Sequence, residues 1–340
     1  MSAVSNGATS DYSGVGSHGV LPKIARIVGW ILSFTTLVYI INNYLNVWWG
    51  WPGAAAILGD NADGYLLSGI QNLFYLAGFA AVILFVFRTP DRSLRKDSES
   101  LRGIVNYIIR AAFWAVIFIG VVDAIISFLR VEDILPALVG DQMTSDLGRS
   151  HYRGPYVHFP LIILSLIVAA RTKTLGFQWL ALLVVVEEMS IVVTRFVFSY
   201  EQAFQGDLVR FWYGALFLFA SAYTLFEDGH VRVDVLYAGF STRTKGIVNT
   251  FGCIVLGASL CWVILIYGMW DQSSIINTSI YNYEVSQSGF GMYVKFWMAG
   301  FLAVFAVSMT VQFCSYMMES VADILGEPGH REPPPSGAPA

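Results

Sequence analysis

The sequence predicts an all-α integral membrane protein with about eight transmembrane helices. Hydrophobic residues make up 56% of its 340 residues, and charged residues make up only 13%, whereas soluble domains carry about a quarter charged residues. A single soluble domain of this size could not bury so much apolar surface, but a bilayer can. The apolar residues also fall into long runs, and most of the basic residues lie in alternate connections between those runs.

Eight apolar segments are the predicted helices. In chain order they are 24–49, 65–87, 103–129, 156–170, 175–200, 208–226, 247–270 and 291–318. Most of them reach the roughly 20 residues that a membrane-crossing helix requires. The fourth, with about 15 residues, would be only about 22 Å long at the α-helical rise. It is expected either to cross a locally thinned bilayer or to be re-entrant, which would leave seven spans.

The basic residues predict the orientation of the chain. Lys23 and Arg26 lie near the start of the first segment, and further basic clusters follow the second, fourth and sixth segments. If all eight segments cross, every strongly basic connection falls on one side, which the positive-inside rule makes cytoplasmic. Both termini are then predicted to be cytoplasmic. Residues 1–22 and the Pro-rich residues 326–340 are expected to be disordered tails.

The composition and motifs exclude several functional classes. The net charge of −4 indicates no nucleic-acid partner, and the three cysteines all lie in apolar runs. An odd number of such thiols does not indicate a disulfide framework or a zinc site. The sequence contains no nucleotide-binding loop, dinucleotide fingerprint or hydrolase motif. We therefore predict no enzymatic activity, no catalytic residue, no metal site and no cofactor.

The fifth segment carries charges inside an apolar run. Glu187 and Glu188 lie near its middle, and Arg195 follows two turns later. A charge at mid-bilayer costs about 2.5–3.5 kcal/mol, so these groups are expected to face a partner, the bundle interior or an aqueous path. Glu188 and Arg195 share a helix face but lie about 10 Å apart along the axis, so each needs another partner. Such partners could be Asp123 and Arg110 of the third segment. The carboxylates are either interface groups or a coupling site for a proton or cation.

Residues 223–235 form a dense polar junction between the sixth and seventh segments. His230, Arg232 and Asp234 alternate with valines, which is typical of a strand. Because a single strand at a membrane surface has no pairing partner, an interfacial amphipathic segment is favoured. The alternative is an ordinary cytoplasmic loop.

On the opposite side, the loop before the last segment contains Glu284 and Ser286. These residues belong either to a flexible turn or to a docking patch for an external protein. Asp207 is predicted to be the N-cap of the sixth helix.

The polar junction also resembles a known family. Residues 218–235, with the pattern His230-x-Arg232-x-Asp234 after a helix end, resemble the small permease (DctQ-like) subunit of tripartite ATP-independent periplasmic (TRAP) transporters. Arg195 with the aromatic residue after it resembles the end of the family's first helix, and residues 284–286 resemble its outer loop. The resemblance covers 175–325 as a four-helix membrane domain. Residues 23–174 would then be extra N-terminal helices of a long family form.

The resemblance implies a subunit of a solute importer in the bacterial inner membrane. In this family a periplasmic binding protein captures an organic acid or similar solute, and a large permease moves it by secondary active transport. The small subunit would be a scaffold in contact with that permease, the binding protein and membrane lipid. The alternative is a self-sufficient carrier that uses Glu187 or Glu188 for coupling. The candidate interface residues are Glu187, Glu188, Arg195, His230, Arg232, Asp234, Glu284 and Ser286.

Overall fold

The computed structural model describes residues 19–59, 64–174, 176–200, 202–227, 235–286 and 291–330. In these ranges the chain forms α-helices and no strand. The helices are α1 (Val20–Trp49), α2 (Tyr65–Arg88), α3 (Leu94–Val131), α4 (Leu135–Leu147), α5 (Ser150–Arg153), α6 (Phe159–Arg171), α7 (Phe177–Val197), α8 (Ala203–Phe226), α9 (Val235–Ala238), α10 (Thr242–Phe251), α11 (Ser259–Met269), α12 (Ile275–Tyr281) and α13 (Lys295–Ile324). Two π-helical turns, Gly154–His158 and Gly252–Ala258, join α5 to α6 and α10 to α11.

Seven helices in the described ranges are long and apolar enough to cross a membrane, which confirms the predicted fold class. They are Val20–Trp49, Tyr65–Arg88, Leu94–Val131, Ser150–Arg171, Phe204–Phe226, Thr242–Met269 and Lys295–Ile324. The prediction that the fourth helix is short was wrong. Its helix spans 22 residues because the chain stays helical through the π turn, so polar residues from Ser150 onward add length to the apolar run.

The fifth predicted segment differs from the others. Its helix α7 has 21 residues but is not among the seven that meet the criteria of length and apolarity. It packs along α8, to which a short connection joins it, so the two helices run antiparallel. Leu180 is the buried residue of α7. Most of the surface of α7 therefore faces away from the rest of the chain.

The core is built around α13, which packs against α1, α3, α8, α10, α11 and α12. The long helix α3 packs in turn against α6, α8 and α13. Three aromatic rings join these elements: Phe219 of α8 lies 5.7 Å from Phe113 of α3 and 5.0 Å from Phe301 of α13, centroid to centroid. Close packing of this kind holds helices together in lipid, where the hydrophobic effect between them is absent. One apolar core thus includes residues from both the N-terminal and C-terminal halves.

Ion pairs join the predicted cytoplasmic ends of the same helices. Arg26 lies inside α1, is buried, and donates from Nε to Oδ2 of the buried Asp97 at 2.5 Å. Arg92 also pairs with Asp97. Arg95 of α3 binds Asp323 of α13 at 2.7 Å. Several arginines that serve as orientation signals in the sequence are therefore also structural links between helices.

Candidate functional site

A buried polar cluster in the described ranges is centred on Asp123. This α3 residue is completely buried. Its Oδ1 accepts a hydrogen bond from Arg153 Nη1 at 2.9 Å and lies 3.0 Å from His158 Nε2. Its Oδ2 accepts the backbone N–H of Tyr293 at 2.9 Å. One carboxylate therefore connects α3, the α5–α6 helix and the loop that leads into α13.

The π turn Gly154–His158 places His158 in this cluster. Trp297 Nε1, on α13, donates to His158 Nδ1 at 2.9 Å. Because Nδ1 is an acceptor, a neutral imidazole carries its proton on Nε2 and donates it to Asp123. The π turns of helices are frequently found at sites where a side chain has a special role. Here the turn directs the histidine between α3 and α13.

Arg153 is also fully buried and is contacted from several directions, but its Nη2 has no hydrogen-bond partner in the described ranges. Its Nε donates to the backbone oxygen of Leu147 at 2.5 Å, and its Nη1 donates to Ser127 Oγ at 3.1 Å. The guanidinium carbon lies 4.5 Å from the centre of the Tyr293 ring, within the range of a cation–π interaction. With a neutral His158, the cluster of Asp123, Arg153 and His158 has no net charge. The arrangement is suited to holding helices together.

Sequence reasoning missed this cluster. It considered Asp123 as a partner for Glu188 or Arg195, but the structure pairs Asp123 with Arg153 and His158. The available signal was a lone carboxylate inside an apolar helix, which must have a partner nearby. The partner could not be read from the sequence, because Arg153 lies 30 residues away in a connection that looked like a loop.

A second carboxylate supports the same loop before α13. Asp207 Oδ2 accepts the backbone N–H of Met292 at 3.2 Å and the hydroxyl of Ser286 at 3.3 Å. The prediction that Asp207 is an N-cap was wrong: Gln202 is the N-cap residue of α8, and its backbone N–H donates to Gln205 Oε1 at 3.4 Å. Because α8 begins at Ala203, Asp207 lies inside the first turns of the helix, and its carboxylate binds the loop instead.

Glu284 and Ser286 therefore lie in a loop fixed by α3 and α8. Glu284 Oε2 is 3.4 Å from Lys295 Nζ at the start of α13, and Ser286 binds Asp207 as described. At the C-terminal end of α3, Glu132 accepts hydrogen bonds from Tyr200 and from Gln202 Nε2. The bond to Glu132 is the main reason that the pKa of Tyr200 is raised above its usual value.

The charged side chains of α7 lie on surface that the described part of the chain does not fully cover. Glu188 and Arg195 are exposed and Glu187 is half-buried. The Oε1 atom of Glu187 has no hydrogen-bond partner in the part of the chain that is described. Within the same part, Glu188 has neither a hydrogen bond nor an ion pair. The structure thus brings the two carboxylates to one mid-helix position, but it does not place Asp123 or Arg110 beside them.

His230, Arg232 and Asp234 lie outside the described residues. The segment that follows them forms the short helix α9, in which Tyr237 donates to Asn249 Oδ1 of α10 at 3.0 Å. The structure therefore describes the end of the predicted interfacial segment and its attachment to α10.

Comparison with known proteins agrees with this architecture. Residues 182–323 match the family model described as tripartite ATP-independent periplasmic transporters, DctQ component. The match begins within α7 and ends within α13, so it covers the hairpin α7–α8 and the helices after it. Neither a curated protein nor a solved structure matches the chain. The helices from α1 to α6 precede the match.

The family match and the seven membrane-length helices both indicate a multi-pass membrane protein. The predicted resemblance to the small permease is confirmed by the family match. The chain is therefore a multi-pass inner-membrane protein whose residues 182–323, called the DctQ-type domain below, match the DctQ component of TRAP transporters and are preceded by additional N-terminal helices.

Proposed function

We propose that the chain is the scaffold-like small subunit of an ion-gradient-driven TRAP transporter that imports an organic acid or similar small solute. Its partners would be a large permease, which moves the solute, and a periplasmic binding protein, which delivers it. Both termini would be cytoplasmic. Residues 23–174 would act as a brace for the small-permease domain at 175–325, and residues 1–22 and 326–340 would be tails.

The observation that carries this proposal is the exposed carboxylate of Glu188 on α7. It is surrounded by exposed apolar side chains, among them Val185 and Met189. A charge at this depth costs about 2.5–3.5 kcal/mol when it faces lipid. Because α7 is covered mainly by α8, a second membrane protein with a hydrogen-bond donor or a cation would remove that cost. The large permease is the partner that the family implies.

The other candidate residues fit the same proposal. Arg195 would lie at the outer edge of the α7 interface. Glu284 and Ser286, in the loop fixed by Asp207, would face the binding protein on the periplasmic side. His230, Arg232 and Asp234 would hold the segment before α9 against lipid headgroups or against the large subunit at the cytoplasmic side.

A second candidate function is a self-sufficient carrier with a coupling carboxylate. The observation that favours it is the unpartnered oxygen of the half-buried Glu187. In the scaffold proposal, Glu187 and Glu188 contribute to assembly only. In the carrier proposal, one of them binds a proton or cation during transport.

The experiment uses co-expression of the tagged full chain with its large permease. Glu188→Arg should lower the yield of co-purified permease at least fivefold, because it places an opposite charge where the partner meets a carboxylate. Glu99→Arg makes the same change at an exposed position on α3 and should leave the yield unchanged.

Transport separates the two candidates. Glu188→Gln and Glu187→Gln should retain ion-dependent uptake by the whole complex. Uptake by this chain alone in liposomes, or loss of ion dependence in an intact Gln variant complex, would contradict the scaffold role.

A further inference from the structure

A basic cavity lies where the N-terminal helices meet the DctQ-type domain. Its volume is about 390 Å³, and its lining includes Asn106 and Arg110 of α3, Lys173, the start of α7 and Tyr223 of α8. Ligand sites commonly have volumes of about 300–1,000 Å³. Of the lining residues only Tyr223 lies within the family match, so the match assigns the cavity no role.

The cavity is electropositive. Arg110 and Lys173 contribute two positive charges, and no carboxylate lines the cavity among the residues described. The nearest acidic group along α8 is Glu227, one turn beyond Tyr223. A cavity with two cations and no lining anion attracts a negatively charged ligand.

Arg110 is held in a position from which it can bind such a ligand. Its Nε donates to the backbone oxygen of Ala169, near the end of α6, at 2.8 Å. This bond fixes the plane of the guanidinium. In the described part of the chain, its two terminal nitrogens have no hydrogen-bond partner, so they remain as a pair of donors. A fixed guanidinium of this kind is well suited to the oxygens of a phosphate group.

The N-terminus of α7 adds further donors. The helix begins at Phe177 after Gly176, and no side chain caps it. The first N–H groups of a helix have no partner within the helix, and together with the helix dipole they favour a bound anion. Phe177, Gln178 and Trp179 all line the cavity. The start of α7 and the Arg110 side chain therefore border the same cavity.

The surroundings indicate a membrane-surface location. Trp179 is 58% exposed, and tryptophan at the end of a membrane helix commonly lies at the level of lipid headgroups. Arg171, at the end of α6, and Lys173, in the connection to α7, are also exposed. Basic pockets between transmembrane helices on the cytoplasmic side bind the headgroups of anionic lipids.

We propose that this cavity binds a phosphate group, either in the headgroup of an anionic phospholipid or as free phosphate. Arg110 and the α7 N-terminus bind the phosphate oxygens, and Lys173 adds charge at the entrance. A bound phosphate would connect α3, α6 and α7, and would thereby join the N-terminal helices to the hairpin that carries Glu187 and Glu188.

The test measures binding to the full-length chain purified in a neutral detergent. Phosphatidylglycerol, phosphatidylcholine and inorganic phosphate are each titrated, and bound ligand is counted by native mass spectrometry. The unmodified chain should bind phosphatidylglycerol at least tenfold more tightly than phosphatidylcholine. Arg110→Gln should weaken this binding about tenfold, and Lys173→Glu, at an exposed position, should weaken it at least fivefold without affecting folding.

Arg243→Gln is the matched control, because Arg243 is an exposed basic residue on α10, on the same predicted side of the membrane. It should leave lipid binding unchanged. Displacement of phosphatidylglycerol by millimolar inorganic phosphate would identify free phosphate as a ligand of the same site, and failure to displace it would identify the lipid headgroup. Equal binding by the unmodified chain and by both cavity variants would overturn the proposal.

Discussion

At the scale of single residues, the charged groups of this chain fall into two kinds. Asp123, Arg153 and Arg26 are buried and hydrogen-bonded within the protein. Glu188 and Lys173 lie at the surface without an ion-pair partner in the described ranges. The first kind holds the helices together, and the second kind is where a ligand or another subunit can bind. The distinction follows from the cost of leaving a charge unpaired in a low-dielectric medium.

The first prediction concerns the buried pair. Asp123→Asn keeps the shape of the side chain but removes its charge, so the buried Arg153 loses its counterion. Breaking a buried ion pair from one side typically costs about 3–5 kcal/mol. We expect a clear fall in the thermal unfolding midpoint of the purified chain in detergent.

Asp146→Asn is the control for this prediction. Asp146 pairs with Arg149 at 3.7 Å, and Arg149 is 67% exposed. Exposed pairs contribute about 0–1 kcal/mol, so the midpoint should hardly change. Equal effects of the two substitutions would mean that the Asp123 cluster does not stabilise the fold.

These residues also show how much of the site can be predicted from the sequence. The positions of Asp123 and Glu188 inside apolar runs identified both as groups that need a partner. The choice of partner depends on how distant helices pack: Tyr293, which donates its backbone N–H to Asp123, lies 170 residues away. Sequence spacing carries no information about such a contact. The π turn that brings His158 to Asp123 was equally hidden, because an apolar run does not reveal a local change of helical pitch.

At the scale of elements, the apolar runs predicted most helices well. The ends of helices were predicted less accurately where the terminal residues are polar. The helix α3 has 38 residues, against the apolar run 103–129, because its first turns are charged and bind α1 and α13 through ion pairs. The helix α4 was not predicted, since it lies in a polar connection with several glycines. Amphipathic and polar helices lack the long apolar signal on which the prediction rested.

A pair of glycines on α3 gives the second prediction. Gly120 packs against the indole of Trp212 on α8, and a Cβ at that position would overlap the ring. Trp212 Nε1 donates to the backbone oxygen of Val116 at 3.2 Å, so the ring cannot move away without breaking this bond. Gly120→Ala should therefore destabilise the chain by about 1–3 kcal/mol.

Gly103 is the matched position on the same helix. A Cβ there meets no atom within 4 Å. Because alanine favours a helix over glycine by about 1 kcal/mol, Gly103→Ala should raise stability slightly. Thermal midpoints of the two variants, measured in one detergent, should shift in opposite directions. A stabilising effect of Gly120→Ala would show that α3 and α8 are not closely packed there.

At the scale of the whole molecule, the N-terminal helices and the DctQ-type domain are packed as one body. Each half supplies residues to the same core, and α13 lies between α1, α3 and α8. The Asp123 cluster links the two halves near the loop before α13, and the pair of Arg95 with Asp323 links them at the other end of α3. The extra helices are therefore packed against the DctQ-type domain, whereas most of the surface of α7 is not covered by the described part of the chain.

The orientation of this body is the last prediction. The native cysteines Cys253, Cys261 and Cys314 are all buried, so a single engineered thiol should react with little background. Gln142, on α4 beyond the end of α3, and Thr242, at the start of α10, are both exposed. The basic connections predict that α4 is periplasmic and that the start of α10 is cytoplasmic. Gln142→Cys should therefore react with a membrane-impermeant maleimide in spheroplasts, and Thr242→Cys should react only after lysis. The reverse pattern would invert the topology, and it would move both the proposed phosphate cavity and the Glu284 loop to the wrong sides for an inner-leaflet lipid and a periplasmic partner.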